Sequence, residues 1–189
     1  MSSKWNQLFE IAQEQQGYFA TKQATSLGLA SASLYQKVKS EELMSIQHGI
    51  YRFVKYPISE NEDLMVVWLW SKKEGVFSHD TALSRYQISD VFPSKIHITL
   101  PKMHSKNRKP PPNAIVYFDD IPKKDRTWFG ELPYTTPKRT INDFAKGYGD
   151  PNIIEQAVTN GIKQGLITLD SVLCALAYLV KVRTTYLES

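Results

Sequence analysis

The sequence predicts an α+β fold in two parts, a small helical unit closed by a β-hairpin and a larger mixed α/β domain with a small sheet and several helices. Three observations predict it. One apolar helical face near the N-terminus is followed by two short helical segments broken at Gly28; a β-prone pair of segments flanks Gly49; and helical and strand patterns alternate beyond residue 58.

Trp5, Leu8, Phe9 and Ala12 recur at helical spacing and Gly17 ends the pattern, which predicts the first helix. Thr21 is placed to cap a second helix over residues 22–27, and Gly28 stops it. Ser31 offers a cap for a third helix, in which Leu34 and Val38 form an apolar i, i+4 pair, running to about Ser40. Residues 43–46 and 50–54 are rich in β-forming side chains and meet at Gln47, His48 and Gly49, whose glycine suits a tight hairpin. Helix, turn, helix and hairpin in this order form a winged helix-turn-helix over residues 1–58. The polar, proline-bearing stretch 56–63 reads as the border to a second domain over residues 59–189.

In the second domain residues 64–71 read as a tryptophan-rich helix, and Ser78 as the cap of another. Residues 95–100 alternate strictly, and 114–118 and 127–136 contain β-prone runs, which predict the small sheet. Pro137 starts a helix carrying Ile141, Phe144 and Ala145, and two more follow at about 151–164 and 169–182. Cys174, between apolar neighbours, is expected as a buried small hydrophobe, and one cysteine permits no internal disulfide.

The formal charge of +4 permits nucleic-acid binding without requiring it. The N-terminus lacks the apolar run of a secretory signal, and no run approaches the roughly 20 residues needed to span a bilayer, so a soluble cytoplasmic protein is expected. In a winged helix-turn-helix the second helix of the pair enters the major groove while the first helix and the wing lie over phosphates. On a helical wheel Leu34 and Val38 point inward, and Ser33, Gln36 and Ser40 outward, flanked by Lys37 and Lys39. Glutamine can pair with adenine, and lysine with guanine or phosphate. The candidate DNA contacts are therefore Thr21, Lys22, Ser31, Ser33, Gln36, Lys37, Lys39, Ser40, His48 at the wing tip and Arg52 on its return strand. A second basic segment, residues 95–112, carries Lys102, Lys106, Arg108 and Lys109 without an acid, and could extend the contact or remain solvated.

Catalytic patterns are lacking. No paired-cysteine or H-E-x-x-H spacing assembles a metal site, and no phosphate-binding glycine loop or G-x-S-x-G turn occurs, so no metal, cofactor or catalytic residue is expected. Asp119, Asp120 and Glu131 could hold magnesium for a nuclease, yet no acid is followed two residues later by lysine. Two alternatives stay open: a nuclease-like enzyme targeted by its winged helix, and a winged-helix module for protein interaction that never touches DNA.

The runs 17–24 (GYFATKQA), Gly28-Leu29, Leu34-Tyr35 and 49–52 (GIYR) together resemble the N-terminal domain of AbiEi-family antitoxins. The stretches 78–83, 92–99 and 136–143 resemble segments of that family's second domain. The resemblance implies an antitoxin of a type IV toxin-antitoxin pair linked to abortive phage infection. It implies a winged helix that represses its own operon, and a second domain that counteracts a nucleotidyltransferase-like toxin without a tight complex.

Overall fold

The computed structural model describes residues 3–104, 109–147 and 149–187, which form two compact units, Met1–Glu74 and Gly75–Ser189. The fold is α+β in both.

The first unit opens with α1 (Lys4–Gln13), capped by the Ser3 hydroxyl, which accepts from the Asn6 amide at 3.2 Å. It continues through β1 (Tyr18–Ala20), α2 (Thr21–Ser26), α3 (Ser31–Lys39), β2 (Leu43–Gln47), β3 (Ile50–Phe53) and α4 (Glu62–Trp70). The three strands form an antiparallel sheet in the order β1-β3-β2. Leu8 and Ala12 from α1, Ala24 from α2, Leu34 from α3, and Phe19, Leu43 and Phe53 from the strands make one buried core. The Phe9 and Phe53 rings meet edge to face at 5.1 Å.

Strand β1 is an addition to the expected elements. Three residues are too few for an alternation to show, and pairing supplies what pattern could not: Tyr18, Phe19 and Ala20 lie opposite Arg52, Tyr51 and Ile50. Gly17 makes the entry possible, because it takes φ +90° and a Cβ there would lie 2.5 Å from Tyr56.

Two expected caps are corrected. Ala20 and Ala30, not Thr21 and Ser31, stand at the N-cap positions of α2 and α3, so Thr21 and Ser31 are already helical. In α2 the Gln23 carboxamide replaces the cap by accepting from the Ala20 amide at 2.8 Å, and its own amide donates to buried Gln15 at 2.8 Å.

The unit also ends later than the stretch around residue 58 suggests. Helix α4 packs on β1 and β3, with Met65 to Leu69 all buried, and the Tyr18 hydroxyl donates to the Glu62 carboxylate. The polar residues 59–63 are the turn into α4 and its first two residues, with the Ser59 hydroxyl bonded to the Gln16 side chain, and the division falls after Glu74.

The second unit carries β4 (Val76–Phe77), α5 (His79–Tyr86), β5 (Ile96–Leu100), β6 (Ala114–Phe118), β7 (Arg126–Phe129), β8 (Leu132–Thr135), α6 (Pro137–Lys146), α7 (Pro151–Lys163) and α8 (Leu173–Leu187). Its sheet is mixed, in the order β6-β5-β4-β8-β7, with β5 parallel to β6 and β4 parallel to β8. Leu83, Ile141, Ala145, Ile154, Ala157, Val172 and Ala175 join the four helices in a second core.

The strict alternation of β5 predicts one solvated face, yet His97 and Thr99 are buried along with Ile98 and Leu100, because hydrogen-bonding groups cover the polar face too. Ser78 stands at the N-cap of α5 without capping it, since its hydroxyl pairs with Thr99 Oγ1 at 2.8 Å. Cys174 is exposed, contrary to expectation, because α8 turns Ala175 into the core and leaves Leu173 and Cys174 outside.

Candidate nucleic-acid interface

The short helices α2 and α3 follow one another across a turn at Gly28, which takes φ +76°, and the wing turns at Gly49, which takes φ +77°. The wing is fastened to the helix pair. The Thr21 amide and hydroxyl both donate to the Gly49 carbonyl, at 2.8 and 3.2 Å. Thr21 therefore positions the wing, while Lys22, next along α2, is exposed.

The outward face of α3 differs by a residue's rotation from the wheel. Ser31, Ala32, Tyr35, Gln36 and Lys39 are exposed, whereas Ser33 is half-buried. Gln36 and Ser31 thus stand where a groove-facing side chain must. Tyr35, 58% exposed, was not among the expected contacts; its signal was the i, i+4 line from Ser31 through Tyr35 to Lys39. Lys39 places its ammonium 4.8 Å from the Tyr35 ring centroid.

Other expected contacts are engaged within the unit. Lys37 is ion-paired with Glu42 at 2.5 Å and lies 5.5 Å from the Trp5 ring centroid. The pairing, more than Ser40, holds the Glu42 carboxyl below its usual range. Ser40 follows α3 and gives its hydroxyl to Glu42 at 2.9 Å, which makes it a closing residue of the helix. His48 is exposed at the wing tip.

Arg52 is corrected from a surface contact to a structural residue. It is buried at 4% exposure, donates from Nη1 to the Tyr56 carbonyl, and places Nη2 3.8 Å from Met44 Sδ. The cause is its place on β3, the central strand, where its side chain lies 6.0 Å from the Tyr18 ring centroid.

In the second unit the basic segment is partly neutralised. Lys102 binds Asp119 Oδ1 at 2.8 Å, Lys109 is exposed, and Lys106 and Arg108 lie outside the described residues. Asp119 also meets Arg139, so the carboxylate that could have held magnesium in a nuclease is held by two cations. Hydrogen bonding from Lys102, with Arg139 adding to it, pulls its pKa down to about 2. Arg139 reaches Asp143 at 2.5 Å and Asp125 at 3.6 Å as well, and so clasps the chain after β6 onto α6. Among the described residues no group of three His, Cys, Asp or Glu is placed to hold a metal ion.

A histidine-tyrosine cluster lies nearby, and pattern reading gave no sign of it. His79, at φ +47°, stacks its ring on Tyr117 with centroids 3.7 Å apart, and His97 Nδ1 lies 3.1 Å from the Tyr117 hydroxyl. Burial, then the positive fields of His97 and Arg139, lowers the His79 pKa to about 4. Burial lowers that of His97 as well, against the attraction of Asp80. Burial thus favours the neutral form of both imidazoles.

Comparison with known proteins adds to this geometry. Residues 6–54 match the family model described as "Transcriptional regulator, AbiEi antitoxin". The match runs from inside α1 to the close of β3, so it takes in the helix pair and the wing. It supports a transcriptional regulator or antitoxin role. The crystal structure of the RV2827C protein from Mycobacterium tuberculosis is similar with a TM-score of 0.50 and 14% identity, over 96% of this chain and 82% of that one, a likeness of fold. No curated protein matches the chain.

Of the candidate contacts inside the AbiEi match, Lys22, Ser31, Gln36, Lys39 and His48 are exposed, Ser33 is half-buried, and Thr21, Lys37, Arg52 and the exposed Ser40 bond to groups of the same unit. Sequence alone could not separate the two sets, since only the fold shows which polar group already has a neighbour.

Proposed function

We propose that the chain is a DNA-binding repressor of its own operon and the antitoxin of a type IV pair, acting against a nucleotidyltransferase-like toxin without a tight complex. The observation that carries the DNA-binding part is the exposed face of α3, with Gln36 and Lys39 beside a wing pinned to α2 by Thr21. A glutamine carboxamide can read adenine and a lysine can read guanine or phosphate, which gives this face the chemistry for a major groove. The antitoxin part rests on the family match over residues 6–54 and on the likeness of the second unit's segments to that family.

The reading assigns no catalysis, since Lys102 and Arg139 occupy Asp119 and no acid-and-lysine pair accompanies it. It places the protein in the cytoplasm, where its operon is; among the described residues no helix is long and apolar enough to cross a membrane. A gel-shift titration with duplex from the chain's own upstream region, against a scrambled duplex at physiological salt, tests it. The expected result is tighter binding of the upstream duplex, with affinity falling steeply as salt rises. Equal affinity for both sinks the repressor reading. Growth of cells expressing the neighbouring toxin gene, with and without this chain, tests the antitoxin reading.

A further inference from the structure

The end of α4 carries a feature that the winged helix alone does not use. After Ser71 the chain takes two successive left-handed residues, Lys72 at φ +60° and Lys73 at φ +66°. Their amides close the helix by donating to the Leu69 and Trp68 carbonyls, at 2.9 and 3.0 Å. Glycine does this with less steric strain, so the two lysines bring something glycine lacks, a cation each.

Both lysines line a cleft of about 240 Å³ between the end of α4 and α2, floored by Leu69. Lys22 and Ser26 of α2 line it too, as does Glu74. Three lysines and one glutamate thus line one space, and all three lysines are exposed. Lys73 places its ammonium 5.3 Å from the Trp68 ring centroid, at the end of the helix. None of the three is in an ion pair among the described residues.

The occupant follows from charge and from continuity. Lys22 stands on α2, the helix that precedes the groove-facing α3, so the cleft continues the proposed DNA surface. That surface is short of cations, because Arg52 is buried and Lys37 is paired with Glu42. Backbone phosphates supply a large share of affinity in protein-DNA complexes, through cations that displace condensed counterions. We infer that Lys22, Lys72 and Lys73 form a clamp for the backbone phosphates of duplex DNA beside the groove entered by α3. The clamp rests on the repressor reading and extends it, since it makes α4 part of the DNA-binding surface.

The test uses the full chain, duplex from its own upstream region, a scrambled duplex of equal length, and a single-stranded RNA of equal length. Affinity is measured across a salt series for wild type, for the double variant Lys72→Gln with Lys73→Gln, and for Lys72→Gly with Lys73→Gly. The glycine pair removes the same charges while relieving the left-handed backbone, so it reports on charge even if the glutamine pair folds poorly. The expected result for each is a salt slope shallower by about 2, with affinity lowered equally on both duplexes and the ratio between them unchanged. Wild-type binding with no change in either double variant overturns the clamp alone. A loss seen on RNA and not on duplex also overturns it. Wild type that binds neither duplex overturns the repressor reading and the clamp together.

Discussion

Lys39 stands one helical turn beyond Tyr35 on the exposed face of α3, with its ammonium 4.8 Å from the tyrosine ring centroid. The ring lets the lysine lie along the helix surface instead of ranging through solvent, and Gln36 is beside it. On the proposed DNA-binding reading, base reading and phosphate holding fall to different residues of one face. Gln36→Ala is expected to cost about 1 to 3 kcal/mol on the preferred duplex and little on a scrambled one. Lys39→Gln is expected to weaken both and to reduce the salt slope by about 1. Fluorescence anisotropy on the two duplexes checks this; a specificity ratio that survives Gln36→Ala removes Gln36 from the groove.

Arg52 is expected to matter for folding before it matters for DNA. Arg52→Ala leaves the Tyr56 carbonyl without its donor and a space beneath Tyr18, a loss of about 2 to 4 kcal/mol. Urea denaturation of the full chain measures it. Unchanged stability with lost DNA affinity would return Arg52 to the surface role that its place in the wing suggests.

Arg139 faces three carboxylates, of which Asp143 is the most enclosed at 10% side-chain exposure. Arg139→Met strands that carboxylate and is expected to cost about 3 to 5 kcal/mol, the range for breaking a buried pair from one side. Lys102→Ala, at the exposed end of the same network, is expected to leave stability nearly unchanged, because solvent screens an exposed pair. Equal losses from the two substitutions contradict the clasp.

Acid should destabilise the chain before its carboxylates titrate. The folded pKa of His79 is about 4, below the ordinary value of 6.5, so the unfolded chain takes up the proton first as pH falls. The stability this gives is complete above pH 6.5 and is lost as pH falls towards 4; His97, lowered as well, acts in the same direction. Asp119, depressed from 3.8 to about 2, contributes only below that window. Melting temperature is expected to drop between pH 7 and pH 5, and His79→Phe, which keeps a ring against Tyr117, should reduce the drop. An identical drop in the variant shows that other groups set the acid limb.

Truncation tests the border of the first unit. Residues 1–74 retain α4 over Tyr18 and are expected to melt cooperatively, whereas residues 1–58 lose the Glu62 acceptor and uncover β1. Circular dichroism on the two fragments distinguishes this from a unit complete at residue 58.

The helices and hairpin were legible because each carries a local cause: the Trp5 to Ala12 face, the stop at Gly28, the turn at Gly49. What stayed hidden depends on partners remote in sequence. Strand β1 exists through pairing with residues some thirty positions on, and α4 joins the first unit through Tyr18. The same holds for the interface. A wheel shows which residues point away from Leu34, but not that Lys37 meets Glu42, that Thr21 holds Gly49, or that His79 finds Tyr117.

Thr21 grips the Gly49 carbonyl with both its amide and its hydroxyl, so the tip of the wing has little freedom left to lose. In many complexes a loop must surrender conformational entropy when it meets its ligand, and that loss subtracts from affinity. Here the ordering is completed during folding, before any duplex approaches. On the proposed DNA-binding reading, encounter becomes the docking of a preformed surface, and discrimination between DNA sequences is left to the side chains of α3 and to the bending of the duplex itself.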